Sequence, residues 1–203
     1  MKSNGDCLNV IITGVGGQGN ILASHLLATA AIADGFHTTI GETYGQSQRG
    51  GAVMSHVRLS RKMQLGPLIP QGKAHVIVGL EPMETLRVAS TYANPQTRII
   101  VNPRPNYPLM VLYGAQEYPE VSELLARLEE MAETVKVIES TELAKEAGEA
   151  MASNVVMVGA LAGSGWVPIP LERFTGALKE IIPQKILSTN QTAFQLGVEH
   201  IDK

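Results

Sequence analysis

Residues 8–35 read LNVIITGVGGQGNILASHLLATAAIADG, an apolar, β-branched run that breaks into glycines and then into an Ala/Leu-rich segment. Residues 9–13 are short and largely apolar, the pattern of a strand buried on both faces. Gly14, Gly16 and Gly19 follow at G-x-G-x-x-G spacing, and a helix is predicted from about Gln18. Ile21, Leu22, His25, Leu26, Thr29 and Ala30 recur at three and four residues, which predicts an apolar stripe lying on a sheet. Glycine permits backbone angles closed to other residues and lets the start of the helix approach a strand or a ligand closely. Exposed N–H groups and the positive end of the helix dipole favour an anion there. Strand, glycine turn and helix in this order predict an α/β fold on a parallel sheet. The same glycines also suit tight packing without any ligand, so the motif by itself leaves nucleotide binding open.

Downstream the elements alternate. Residues 36–40 read as a second strand, residues 43–51 as a polar loop with three glycines, and residues 52–58 (AVMSHVR) alternate like a strand with one solvated face. Residues 61–73 form a connection and residues 74–80 (AHVIVGL) a buried strand. Glu81 and Pro82 then open a helix to about residue 92, with proline where no N–H is needed. A strand at residues 98–101 precedes a proline-punctuated segment, residues 102–119, which cannot enter the middle of a sheet. The pattern continues with a helix at 121–134, a strand at 135–138 and a helix at 140–151. An all-apolar helix at 154–163 is expected to be enclosed on most sides, and two further helices follow at 171–182 and 184–201. No repeat or low-complexity segment occurs, and residues 1–203 read as a single domain.

Composition narrows the functions. Sixteen basic against nineteen acidic residues give a net charge of -3, so no basic field is available for nucleic acid or an anionic membrane. A single cysteine, Cys7, cannot build a disulfide within the chain, an iron–sulfur cluster or a cysteine-rich zinc site. Five histidines lack metal-ligand spacing, so no metal ligands are assigned. No signal core and no apolar run of membrane-spanning length is present, and a cytoplasmic location is expected. A charged fraction of only 17% suggests extensive burial or a surface covered by a partner.

Residues 41–51, GETYGQSQRGG, gather a carboxylate, a guanidinium, amides and glycines. Arg49 beside Gly50 and Gly51 offers a charged fork next to backbone N–H groups, a receptor for phosphate or carboxylate. This loop follows a strand, and is expected to share a rim with residues 14–19 at the carboxyl edge of the sheet. Glu42 lies about where a dinucleotide-binding sheet places its ribose-binding acid. The alternative is that Glu42 and Arg49 pair across a surface loop and the glycines only turn the chain. His56, inside a strand, reads as packed or solvent-facing rather than catalytic, as do His25 and His75, and Cys7 lacks a basic neighbour to activate it. Trp166 is either an interface anchor or a core plug, and Asn154 is a candidate helix cap. No catalytic residue is assigned.

ITGVGGQGN (residues 12–20), ETYGQSQRGGAVMSHVRLS (42–60) and NVVMVGAL (154–161), in this order and spacing, resemble the gamma-type subunit of 2-oxoacid:ferredoxin oxidoreductases, and most of all the beta-subunit branch of the indolepyruvate enzymes. The resemblance implies a doubly wound, mainly parallel Rossmann-like sheet with helices on both faces. It implies one part of a hetero-oligomer that oxidatively decarboxylates a 2-oxoacid on thiamine diphosphate with its magnesium. Electrons then pass through iron–sulfur clusters to ferredoxin, and an acyl-coenzyme A is released. These cofactors would belong to a larger alpha subunit, with none bound by this chain alone. A cofactor-facing rim of Gly14, Gly16, Gly17, Gln18, Gly19, Glu42, Arg49, Gly50 and Gly51 is expected to pack near the active centre. Two other functions stay open: a stand-alone nucleotide-binding oxidoreductase with Glu42 on a ribose, and a scaffold whose glycines are purely structural.

Overall fold

The β-branched run near the N-terminus forms the central strand β1 (Leu8–Val15), buried along its last seven residues, in a computed structural model that describes residues 7–44, 51–107, 109–115 and 117–201. Among these residues six strands form one sheet, in the order β2-β3-β1-β4-β5-β6. β2 (His37–Tyr44) and β3 (Ala52–Ser60) pair antiparallel, and β3 pairs antiparallel with β1. On the other side β4 (Val76–Gly79), β5 (Arg98–Val101) and β6 (Thr134–Val137) add in parallel. Five strands therefore point the same way and β3 alone is reversed, so the sheet is mainly parallel, as expected.

Helices cover both faces. On the first lie α1 (Asn20–Ala33), α5 (Ser140–Glu146), α6 (Ser153–Gly163), α7 (Leu171–Ile181) and α8 (Leu187–His200), where Leu27, Met157, Leu161, Phe174 and Phe194 pack against Val10, Ile12, Val78 and Ile100. On the second, α2 (Pro82–Tyr92) and α4 (Val121–Met131) pack Val88, Ala89 and Leu128 on Ile11, Ile77, Ile99 and Val101. A short helical turn, α3 (Leu109–Leu112), interrupts the proline-rich segment. The start of α2 follows the sequence: Pro82 occupies its first turn and the Glu81 side chain accepts from Glu84 N at 2.8 Å. Helix α6 is buried from Asn154 to Ala162, and crosses α8 backbone to backbone. A Cβ added to Gly197 would stand 2.0 Å from the Val156 carbonyl oxygen, and one added to Gly159 would stand 2.1 Å from that of Phe194. No helix among the described residues is long and apolar enough to cross a membrane.

Three expectations change. The stripe on α1 is met in part: Leu26 and Ala30 are buried as expected and Leu22 packs against the core, but Asn20, Ala23, Ser24, Leu27, Ala28 and Ala31 are buried as well, whereas Ile21 is 43% exposed and His25 is exposed. Small side chains let α1 lie close to the sheet, and in so uniformly apolar a helix size rather than hydropathy chooses the face. Second, the strand before the glycine-rich segment does not end at residue 40 but runs to Tyr44, so that Thr43 and Tyr44 belong to the β2–β3 hairpin. Third, β3 has no solvated face. The connection at 61–73 covers it, with Arg58 Nη1 donating to the Gly66 and Leu68 carbonyls at 2.9 and 3.1 Å and Ile69 N donating to His56 Nδ1 at 3.3 Å.

Candidate functional site

The glycine turn is locked by a side chain from within it. Gln18 Oε1 accepts from Val15 N at 2.7 Å, and Gln18 Nε2 donates to the Leu80 carbonyl at 3.1 Å. Gly14 makes room for this, since a Cβ there would lie 2.5 Å from Gln18 Oε1. Gly17 and Gly19 have φ of 100° and 82°, left-handed values that strain any other residue. Gly19 also meets Asn154, whose Nδ2 donates to the Gly19 carbonyl at 3.1 Å while its Oδ1 accepts from Val155 N at 2.9 Å. Asn154 thus caps its own helix and ties it to the start of α1. The described end of the glycine-rich loop adjoins this turn: Gly16 N donates to the Gly51 carbonyl at 2.9 Å, and Asn20 Nδ2 donates to Val53 O at 2.8 Å.

The turn opens on a groove of about 370 Å³, whose lining includes Gly17, Gly19, Glu149, Asn154, Thr189 and Asn190. Its electrostatics follow from the helices that end there. The residues preceding α1, α6 and α8, namely Gly19, Ala152 and Ile186, all line it. None of the three residues makes a side-chain capping bond, and none of these helices carries an acid in its first turn. By contrast α2, α4 and α7 begin with Glu84, Glu123 and Glu172. Two helix starts without a side-chain cap, those of α1 and α8 and each equivalent to roughly half a positive charge, therefore border one concavity, whereas N–H groups at the start of α6 are met by Asn154 and Glu149. The acidic side chain in the lining, Glu149, accepts from Met151 N at 3.1 Å. Leu22, Met151, Ile182 and Ile186 supply an apolar wall. Such a groove can hold a molecule that joins an anionic group to an apolar one.

The expected rim is gathered in part. Gly17, Gln18 and Gly19 line the groove, with the Gln18 amide engaged by the backbone, and Gly51 rests against Gly16. Arg49 and Gly50 lie outside the described residues. Glu42 sits on β2, with its Oε1 3.9 Å from His25 Nε2, and is not part of the groove lining. Because β3 separates β2 from β1, Glu42 stands two strand spacings away, about 10 Å, and does not occupy the position of a ribose-binding acid on a strand adjacent to β1. Residues between 148 and 190 complete the groove, and of these the sequence marks only Asn154, as a candidate helix cap. Their signal is the missing acid at the start of α6 and α8.

The remaining candidates are structural. His56 is buried, accepts from Ile69 N, and packs edge-on to Tyr92 at 5.3 Å. Burial and, to a lesser extent, Arg58 hold its pKa below the ordinary histidine value. His75 accepts from Asn9 N at 2.9 Å, and burial, then Lys73, lower it likewise. Trp166 packs against the main core, with the Arg98 guanidinium 5.7 Å from its ring centre. Among the described residues no group of three His, Cys, Asp or Glu could hold a metal ion.

Residues 9–200 match the family model described as pyruvate ferredoxin/flavodoxin oxidoreductase. The chain is 38% identical over 190 residues to an indolepyruvate oxidoreductase subunit IorB of Archaeoglobus fulgidus, a match that covers 94% of this chain and 93% of that one. The fold is similar to that of a keto/oxoacid ferredoxin oxidoreductase gamma subunit from Geobacter sulfurreducens, with a TM-score of 0.69, 24% identity and coverage of 96% and 98% of the two chains. It is also similar to part of a 2-oxoglutarate:ferredoxin oxidoreductase from Magnetococcus marinus, solved with 2-oxoglutarate, coenzyme A and succinyl-CoA bound. There the TM-score is 0.73, the identity 20%, and the match covers 97% of this chain but 31% of that one.

Proposed function

This chain belongs to the pyruvate ferredoxin/flavodoxin oxidoreductase family, and from that premise we propose that it is the small subunit of a 2-oxoacid:ferredoxin oxidoreductase acting on an indolepyruvate-like aryl pyruvate. The match over nearly the whole fold, with 38% identity to an IorB subunit, carries this reading. A larger, cofactor-bearing subunit is the partner, ferredoxin is reached through the complex, and the enzyme works in the cytoplasm.

Thiamine diphosphate with magnesium and iron–sulfur clusters supply decarboxylation and electron transfer when bound. This chain's side chains do not fit the clusters, since one cysteine cannot provide their thiolates, and among the described residues no group of three His, Cys, Asp or Glu could hold a metal ion. They do fit the anionic end of coenzyme A. The starts of α1 and α8, which carry no side-chain cap, receive a phosphate, and the apolar wall of Leu22 and Ile186 takes uncharged atoms; Arg49, which lies outside the described residues, is a further anion contact on the strength of its sequence, R-G-G. Gly17, Gly19 and Asn154 hold the helix starts in place, so the chain's role is binding and orientation rather than bond making.

The test is reconstitution. Dye reduction that depends on indolepyruvate and coenzyme A is expected from the larger subunit together with this chain, and from neither alone. Turnover by this chain alone, or full activity of the larger subunit without it, overturns the proposal. Arg49→Ala in the complex is expected to raise the KM for coenzyme A by about tenfold, the equivalent of one charge-assisted hydrogen bond. Unchanged coenzyme A dependence removes Arg49 from that role.

A further inference from the structure

Between β5 and α4 the described residues 102–107, 109–115 and 117–120 form a strap at the carboxyl edge of the sheet, and Asn106 and Tyr118 on either side of its middle section are fastened to one carboxyl group. Glu81 is 1% exposed. Its Oε2 accepts from Glu84 N at 2.8 Å, and its Oε1 accepts from the Tyr118 hydroxyl and from Asn106 N, the latter at 3.4 Å. Tyr107 and Tyr118 meet edge to face, with ring centres 5.2 Å apart. Burial first, and then the bond to Glu81, push the Tyr118 hydroxyl above its ordinary pKa, so it remains a donor.

The section held this way turns apolar side chains outward. Tyr107 is 48% exposed, Leu112 64% and Tyr113 80%. No charged residue occurs between Arg104 and Glu117. Aromatic residues without neighbouring charge are the composition of an interface core, and a free surface of this kind is unusual on a monomer. The strap is also continuous with the candidate site. Asn102 Nδ2, at its root, donates to the Leu80 carbonyl at 3.4 Å, the same oxygen that receives Gln18 Nε2 at 3.1 Å. One backbone oxygen thus ties the root of the strap to the glycine turn.

We propose that the surface formed by Asn106, Tyr107, Leu112 and Tyr113 is where the larger subunit of the oxidoreductase docks, with Tyr113 and Leu112 as its anchors and Glu81 as the residue that positions it. The proposal rests on the function proposed above. The occupant follows from the shared Leu80 carbonyl, from the charge-free composition, and from the longer structural relative, in which this fold is under a third of the chain and the rest of that polypeptide accompanies it.

The experiment measures the Kd between the full chain and the separately purified larger subunit. Tyr113→Asp and Leu112→Asp are exposed and are expected to keep the wild-type melting temperature while raising Kd at least tenfold each. Met63→Asp, equally exposed on the connection after β3, is expected to leave Kd within twofold. Tyr118→Phe is expected to raise Kd and, by loosening the strap, to speed amide hydrogen exchange at residues 103–115 without changing exchange in β1. Wild-type Kd in both aspartate variants overturns the docking surface and leaves the subunit reading standing. Absence of any binding by the wild-type chain overturns both. Self-association of the wild-type chain that these variants abolish assigns the strap to a second copy instead, and also overturns the proposal.

Discussion

Replacing Gly197 with alanine tests the backbone crossing of α6 and α8 that carries one wall of the groove. The added Cβ would stand 2.0 Å from Val156 O and 2.8 Å from Ala160 N, both backbone atoms of a buried helix, so no flexible side chain can yield. Ordinary van der Waals contact begins beyond 3 Å, and α8 must therefore lift by about 1 Å along its contact with α6, which loosens Ala193 and Phe194 against Val155 and Val156. Overpacking against unyielding atoms costs about 3 kcal/mol. Alanine's better helix propensity returns about 1 kcal/mol, for a net loss of about 2 kcal/mol. In a chain of this size that lowers Tm by roughly 4–8 °C. The same change at Gly176 is the control: it lies within α7, where an added Cβ meets nothing within 4 Å. There the propensity gain acts alone, and Tm is expected to rise by roughly 2–4 °C. Circular dichroism melts of the three proteins decide it. A Gly197→Ala melt at or above wild type, or two variants shifted in the same direction, refutes the close crossing.

Other outcomes follow from the same geometry. Gly17→Ala is expected to cost about 1–2 kcal/mol in urea unfolding from its left-handed backbone alone, whereas Gly19→Ala also drives a Cβ to 2.1 Å from Asn154 Nδ2 and should cost at least about 1 kcal/mol more; equal costs would mean that Asn154 gives way. His56 and His75 have pKa values lowered from 6.5 on folding, so below about 6.5 the unfolded chain binds more protons than the folded one. Their contribution is complete above that pH and is lost as pH falls toward the folded values. The urea midpoint is therefore expected to drop between pH 7.5 and 5.5, and His56→Gln to reduce the drop; a midpoint that does not move over that interval contradicts the lowered pKa values of buried His56 and half-buried His75. Asn154→Ala removes the bond to Gly19 O and the cap on Val155 N, and is expected to lower stability by about 1–2 kcal/mol and to raise the KM for coenzyme A in the reconstituted enzyme. An unchanged KM would detach Asn154 from the proposed site.

Local chemistry was legible in the sequence and long-range placement was not. Glu81 and Pro82 announced the start of α2, the β-branched run and its glycines announced β1 and its turn, and the all-apolar run at 154–163 announced the enclosed helix α6. The apolar face of α1 is legible only in part: Leu26 and Ala30 are buried as their spacing predicts, but Ile21 outranks Ala23 and Ser24 on any hydropathy scale and is nevertheless exposed, because close packing on the sheet favours the smaller pair. Nothing in AVMSHVR reveals that β3 lies between β1 and β2, since strand order is fixed by contacts far along the chain. The groove combines residues near 18, 150 and 190; the glycine turn and Asn154 stand out in their own neighbourhoods, but no local pattern joins them to each other or to Thr189 and Asn190. Glu42 kept its sequence spacing from the glycines and lost its meaning when an inserted strand moved it sideways.

The Gln18 amide has a consequence for where any ligand enters. Helix α1 leaves β1 toward one face of the sheet and α2 leaves β4 toward the other, so the gap between these two strands is the switch point at which doubly wound proteins usually admit their cofactors. Here Gln18 spans that gap and fastens to the Leu80 carbonyl. With the customary doorway bolted by one side chain, access is diverted to the flank where α6 and α8 begin, and relatives of this chain that carry a shorter residue at position 18 should reopen the older entrance.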